Sequence, residues 1–103
     1  MDLQDSVFGL DNRIRYCAVI DVMGRVTGGG MRPGVHSLEP EEEAERIDLQ
    51  VAVTRGMMHS AREFLGRTNY IIIHRQKLMF IVLPRDDGKT VLVRRSQTSP
   101  SNI

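Results

Sequence analysis

An α/β domain of the α+β kind, with a five-stranded antiparallel sheet and one long helix across a face, is the fold class this sequence predicts. Three observations carry it. Short apolar runs with the two-residue period of strands fall at 15–22, 25–31, 70–74, 78–83 and 90–94. Tight-turn signals join the runs that follow one another directly, which suits antiparallel hairpins. Between the second and third runs lies one long stretch, 40–65, with helical start and stop signals. With 103 residues the chain has room for one core, assigned to 1–95, and the polar tail 96–103 is expected to be disordered.

Residues 2–10 open the chain as a short helix, with Leu3, Val7 and Leu10 at helical spacing beside Phe8. In the first strand Tyr16, Ala18, Ile20 and Val22 share one face, and Cys17 and Val19 the other. Apolar residues on both faces mark a central strand. The segment Asp21-Val22-Met23-Gly24-Arg25 turns the chain, with Gly24 suited to positive φ. The return strand contains Gly28, Gly29 and Gly30, a composition that belongs at a sheet edge.

Pro40 suits the first position of the long helix, where its missing N–H has no helical partner. Glu41, Glu42, Glu43 and Glu45 complement the positive end of the helix dipole, and Gly66 follows Leu65 as a stop. The helix has two apolar stripes. Ala44, Ile47, Val51, Met58, Ala61 and Leu65 form the one expected to lie on the sheet. Leu49, Val53, Met57 and Phe64 form another, over ~100° away, to be covered either by a loop or the N-terminal segment or by a second copy of the chain. That second stripe points to a homodimer interface. The late strands are apolar on both faces too, so a partner or ligand surface that includes Phe8, Ile71, Ile73 and Met79 is expected on the sheet.

Charge and motifs restrict the function. Fourteen Lys+Arg against thirteen Asp+Glu leave a net charge of +1, which gives no electrostatic case for nucleic acid or an anionic membrane. No apolar run approaches the ~18 residues of a membrane span. The start Met-Asp-Leu-Gln-Asp lacks signal-peptide character, so a cytoplasmic protein is expected. His59 and Glu63 have ligand spacing without a third ligand, and the single Cys17 in a β-run reads as a small buried hydrophobe. No catalytic constellation, metal site or cofactor is indicated. The glycine-rich loop Gly28–Gly34, with Gly28, Gly29, Gly30 and Arg32, is the alternative site, for a nucleotide-binding protein or an enzyme. It matches neither the P-loop nor the dinucleotide fingerprint.

The hairpin Tyr16-Cys17-Ala18-Val19-Ile20-Asp21-Val22-Met23-Gly24-Arg25-Val26, followed by the helix 40–65 and the strands Tyr70–His74 and Leu78–Leu83, resembles the roadblock / dynein light-chain fold. That fold is related to profilin-like and PAS-like sensor domains. The stretch 12–95 also resembles small uncharacterised proteins of ammonia-oxidising archaea. The resemblance implies a strand order 2-1-5-4-3, dimers paired through the long helix and the neighbouring edge strand, and scaffolding or regulation of small GTPases. The sequence departs from the roadblock pattern in its Gly28-Gly29-Gly30 run and in having no helix after the last strand. The expected function is thus a non-catalytic regulatory adaptor or ligand-sensing module acting as a homodimer.

Overall fold

Alternating apolar residues in five runs give one sheet, and the computed structural model, which describes residues 2–97, shows how its two faces are covered. The elements are α1 (Leu3–Phe8), β1 (Ile14–Ile20), β2 (Val26–Met31), α2 (Glu41–His59), α3 (Arg62–Leu65), β3 (Ile71–His74), β4 (Leu78–Pro84) and β5 (Thr90–Ser96). The sheet order is β2-β1-β5-β4-β3, antiparallel throughout. This is the expected fold class and strand order.

The two faces of the sheet carry two cores, and a register shift between Ile14 and Tyr16 puts Ile14 on the Cys17 side. Tyr16, Ala18, Ile20, Phe80, Val82 and Leu92 meet Val51 and Ala52 of α2 on one side. Ile14, Cys17, Val91 and Val93 pack with Val7 and Phe8 of α1 on the other. The six-residue α1 leaves part of its face uncovered, with Ile72 and Leu83 exposed. Its start is capped by the Asp2 side chain, which accepts from the Asp5 N–H at 2.9 Å.

Two glycines are required by the backbone. Gly24 has φ of 82° in the β1–β2 turn, and a Cβ there would stand 2.7 Å from Leu49 Cα, so only glycine lets the turn close against α2. The Asp21 carboxylate holds the same turn by accepting from the N–H groups of Met23 and Arg25. Gly29 has φ of 88°, and a Cβ there would collide with the Cys17 carbonyl oxygen. Gly29 is therefore a packing feature of β2, whereas Gly28 and Gly30 have open space around them.

The long helix differs from its expected span. It ends at His59, and a separate turn of helix follows at Arg62–Leu65. At the break the Ser60 hydroxyl donates to the Met57 carbonyl, an alternative to continued helical pairing. The inner stripe accordingly stops early: Ile47 and Val51 pack on the sheet, whereas Met58 is 49% and Leu65 83% exposed. The C-terminal boundary also moves. Ser96 lies in β5 and is buried, with its N–H donating to the Arg13 carbonyl, and the Gln97 N–H donates to the Lys77 carbonyl. The rest of the tail expectation lies outside the described residues.

Candidate interaction surface

Helical spacing of four places Leu49, Val53 and Met57 in one row along α2. The opposite side of the helix is fixed to the sheet by Ile47, Val51 and Ala52. The row therefore faces outward, with exposures of 45, 53 and 64%. Phe64, the fourth expected member, is 87% exposed but belongs to α3, beyond the break at Ser60. The first three are brought together on one helix; the fourth lies past its end. The β1–β2 turn abuts Leu49 through Gly24, and Val22 and Met23 in that turn are exposed as well. Sheet pairing leaves one side of β2 and one side of β3 without a neighbour among the described residues.

A buried ion cluster sets the orientation of α2. Arg94, on the inner face of β5, donates to Asp48 of α2 at 2.8 Å and to Glu39 just before the helix. Its guanidinium lies 4.5 Å from the Tyr16 ring centroid and 5.4 Å from that of Phe80. Burial raises the Asp48 carboxyl above its ordinary range against the opposing pull of Arg94. Burial, and then the Asp48 charge, push the Tyr16 hydroxyl up to about 12. Asp48 belongs to neither apolar stripe of the helix, so the stripes alone do not mark it as buried. A signal was present: Arg94 shares strand parity with Leu92, and Asp48 stands three residues before Val51 on the inner stripe.

Phe8, Ile71, Ile73 and Met79 do not share a surface. Ile71 and Ile73 pair with Val82 and Phe80 and join the core under α2, whereas Phe8 belongs to the α1 side. Met79 alternates with Phe80, so it too faces the α1 side, where its sulfur meets Arg95 at 3.9 Å. The single partner or ligand surface expected from these four residues is thereby corrected: they lie on opposite faces of the sheet.

The Gly28–Gly34 loop likewise lacks the chemistry of a phosphate cradle. Arg32, its cation, donates to the carbonyls of Ile14 at 2.7 Å, Phe8 at 2.8 Å and Asp11 at 2.9 Å, and lies over the Phe8 ring at 4.9 Å. It fastens α1 to the sheet. Gly28, Gly29 and Gly30 run as an extended strand against β1. Cys17 is fully buried, and burial pushes its thiol up, away from thiolate chemistry. No helix among the described residues is long and apolar enough to cross a membrane.

No family model matches the chain, and no curated protein matches it. Solved structures do. The gliding protein MglB from Thermus thermophilus superposes with a TM-score of 0.74 at 14% identity, over 96% of this chain and 72% of that one. The Roadblock/LC7 domain from Streptomyces avermitilis gives 0.63 at 16% identity, over 99% of this chain and 84% of that one. Myxococcus xanthus MglB gives 0.64 at 10% identity, over 92% and 75%. None of these comparisons supports the archaeal resemblance. Sheet order, helix placement and these superpositions agree on one result: the chain has a roadblock-like fold.

Proposed function

We propose that this protein is a non-catalytic regulatory scaffold that works as a homodimer. One observation carries the reading: the row Leu49, Val53 and Met57, 45–64% exposed, on a helix whose other side is anchored to the sheet. Apolar side chains set four apart along one rigid helix bury one another when two copies meet about a two-fold axis. The exposed Phe64, and Val22 and Met23 beside Leu49, extend the same apolar surface. A solved MglB structure with a tetrameric arrangement shares this fold and supports self-association. The resemblance to roadblock proteins makes a small GTPase the class of regulatory partner to be tested.

The scaffold reading is preferred to ligand sensing because Ile71 and Ile73 are separated by the sheet from Phe8 and Met79. It is preferred to nucleotide binding at the glycine loop because Arg32 is engaged by three carbonyls. The test is light scattering of the parent and of a Val53→Asp, Met57→Asp variant across a range of concentrations. The parent is expected to be a dimer and the variant a folded monomer. A monomeric parent at every concentration refutes the proposal. Purified small GTPases, loaded with GDP or with a GTP analogue, are then titrated against the dimer. Binding that differs between the two nucleotide states supports a regulator, and equal or absent binding removes that partner class.

A further inference from the structure

The last turns of α2, the short α3, the linker 67–69 and the β4–β5 turn enclose a half-open cleft of about 800 Å³. Its walls are strongly basic. Arg55, Arg62, Arg67 and Arg85 line it against only two carboxylates, Asp86 and Asp87, and His59 stands among them. From these features we infer that the cleft binds a compact, multiply charged phosphate anion, such as pyrophosphate or a longer oligophosphate.

The pairing of the charges points the same way. Arg55 donates to the backbone carbonyls of Gly88 and Arg85, both at 3.0 Å, and forms no ion pair among the described residues. Its Nε is buried and has no hydrogen-bond partner among them. These bonds tie the β4–β5 turn to α2, so the cleft has a fixed wall and an uncompensated positive charge within it. The Arg62 side chain has neither an ion pair nor a hydrogen bond among the described residues, and the residue is exposed and lines the cleft. Arg67 pairs with Asp86 at 3.3 Å and Arg85 with Asp87 at 3.0 Å. Both are solvated pairs, with Asp86 95% exposed, and such contacts give way readily to a better anion. The guanidinium groups of Arg62, Arg67 and Arg85 suit the several oxygens of linked phosphates, since each can donate two parallel N–H bonds to one phosphate group, and Arg55 adds its charge to the wall.

The lining also limits what else the ligand carries. Pro84 is its one purely apolar side chain, and it contains no Phe, Tyr or Trp on which a base would stack. A nucleobase gains nothing here beyond its phosphates. An acidic protein segment would lack the apolar anchor that peptide docking relies on. None of this depends on self-association through Leu49, Val53 and Met57, so the two proposals stand or fall separately.

The test is calorimetric titration of the full chain at low salt with pyrophosphate, tripolyphosphate, orthophosphate, sulfate and ATP, and with an oligoglutamate peptide. Pyrophosphate is expected to bind at least about tenfold more tightly than orthophosphate or sulfate, and ATP no more tightly than tripolyphosphate. Arg62→Ala and Arg67→Ala, each at an exposed position, should leave the melting temperature unchanged. Each should weaken pyrophosphate about tenfold. Pyrophosphate binding that ignores both substitutions, or that merely equals sulfate, overturns the proposal. ATP tenfold tighter than tripolyphosphate, or tight binding of oligoglutamate alone, overturns the assignment to a phosphate anion.

Discussion

Replacing Asp48 with alanine removes one of the two carboxylates that neutralise a nearly buried guanidinium. Arg94 is 3% exposed and Asp48 4% exposed, so water does not take the place of the missing partner. Breaking a buried pair this way costs about 3–5 kcal/mol. Glu39 still reaches Arg94, which puts the expected loss at the lower end, about 3 kcal/mol. A chain of this size is stable by only about 5–15 kcal/mol, so the loss is a large share of the total. At about 4–8 °C per kcal/mol, the melting temperature should fall by roughly 12–24 °C. Urea denaturation followed by circular dichroism measures the change. The paired replacement Asp48→Leu, Arg94→Met, measured against Asp48→Leu and Arg94→Met alone, removes the two most buried charges together with their desolvation costs and leaves only the partly exposed Glu39. It should recover at least about 2 kcal/mol relative to the sum of the single changes. Asp48→Ala within about 0.5 kcal/mol of the parent, or strictly additive single effects, would refute the cluster as the element that fixes α2.

Three further outcomes are expected. Gly24→Ala forces a left-handed residue and a Cβ 2.7 Å from Leu49 Cα, and should cost at least about 1–2 kcal/mol in the same urea assay, whereas Gly34→Ala, with open space around it, should cost less. Arg32→Ala removes three hydrogen bonds and the contact over Phe8, so it should cost about 2–3 kcal/mol and expose α1 to limited proteolysis before the sheet unfolds. Acid should destabilise the protein through Asp11 and Asp21. The Arg13 side chain holds the Asp11 carboxyl well below its ordinary 3.8, and the Arg25 N–H lowers Asp21. Both folded-state values are depressed, so their contribution is present above the ordinary carboxylate range and is lost as pH falls through the lower folded values. Urea midpoints should drop between pH ~5 and ~2.5, and less steeply for Asp11→Asn.

Strand parity made most of the sheet legible. Tyr16, Ala18 and Ile20 fall on one face and Cys17 on the other, as their alternation requires, whereas Ile14, of the same parity as Tyr16, joins the Cys17 side because the register with β5 shifts between Ile14 and Tyr16. The Asp21–Arg25 turn was equally legible, since the aspartate and glycine act locally. Local signals did not reveal the break at Ser60. Both halves of 40–65 have helical composition, and the interruption comes where α2 no longer has sheet beneath it, as the exposure of Met58 and Leu65 shows. Nor did they identify the partners of Arg32 and Arg94, which lie 18–55 positions away; parity marks only that Arg94 faces inward with Leu92. The basic cleft is of the same kind, since it gathers Arg55, Arg62, Arg67 and Arg85 from four separate segments. The outer row of α2 was readable because helical spacing alone defines it. The placement of Ile71 and Ile73 is not legible in the sequence, because a strand with isoleucines on both faces carries no parity signal.

Sedimentation equilibrium of the parent chain, alongside the Val53→Asp, Met57→Asp variant, tests the scaffold proposal most directly. The proposal requires a parent mass of about twice 11.7 kDa and a variant of about 11.7 kDa that keeps its circular dichroism spectrum. A parent that remains at the single-chain mass at every concentration, or a folded variant that remains at the double mass, would contradict it.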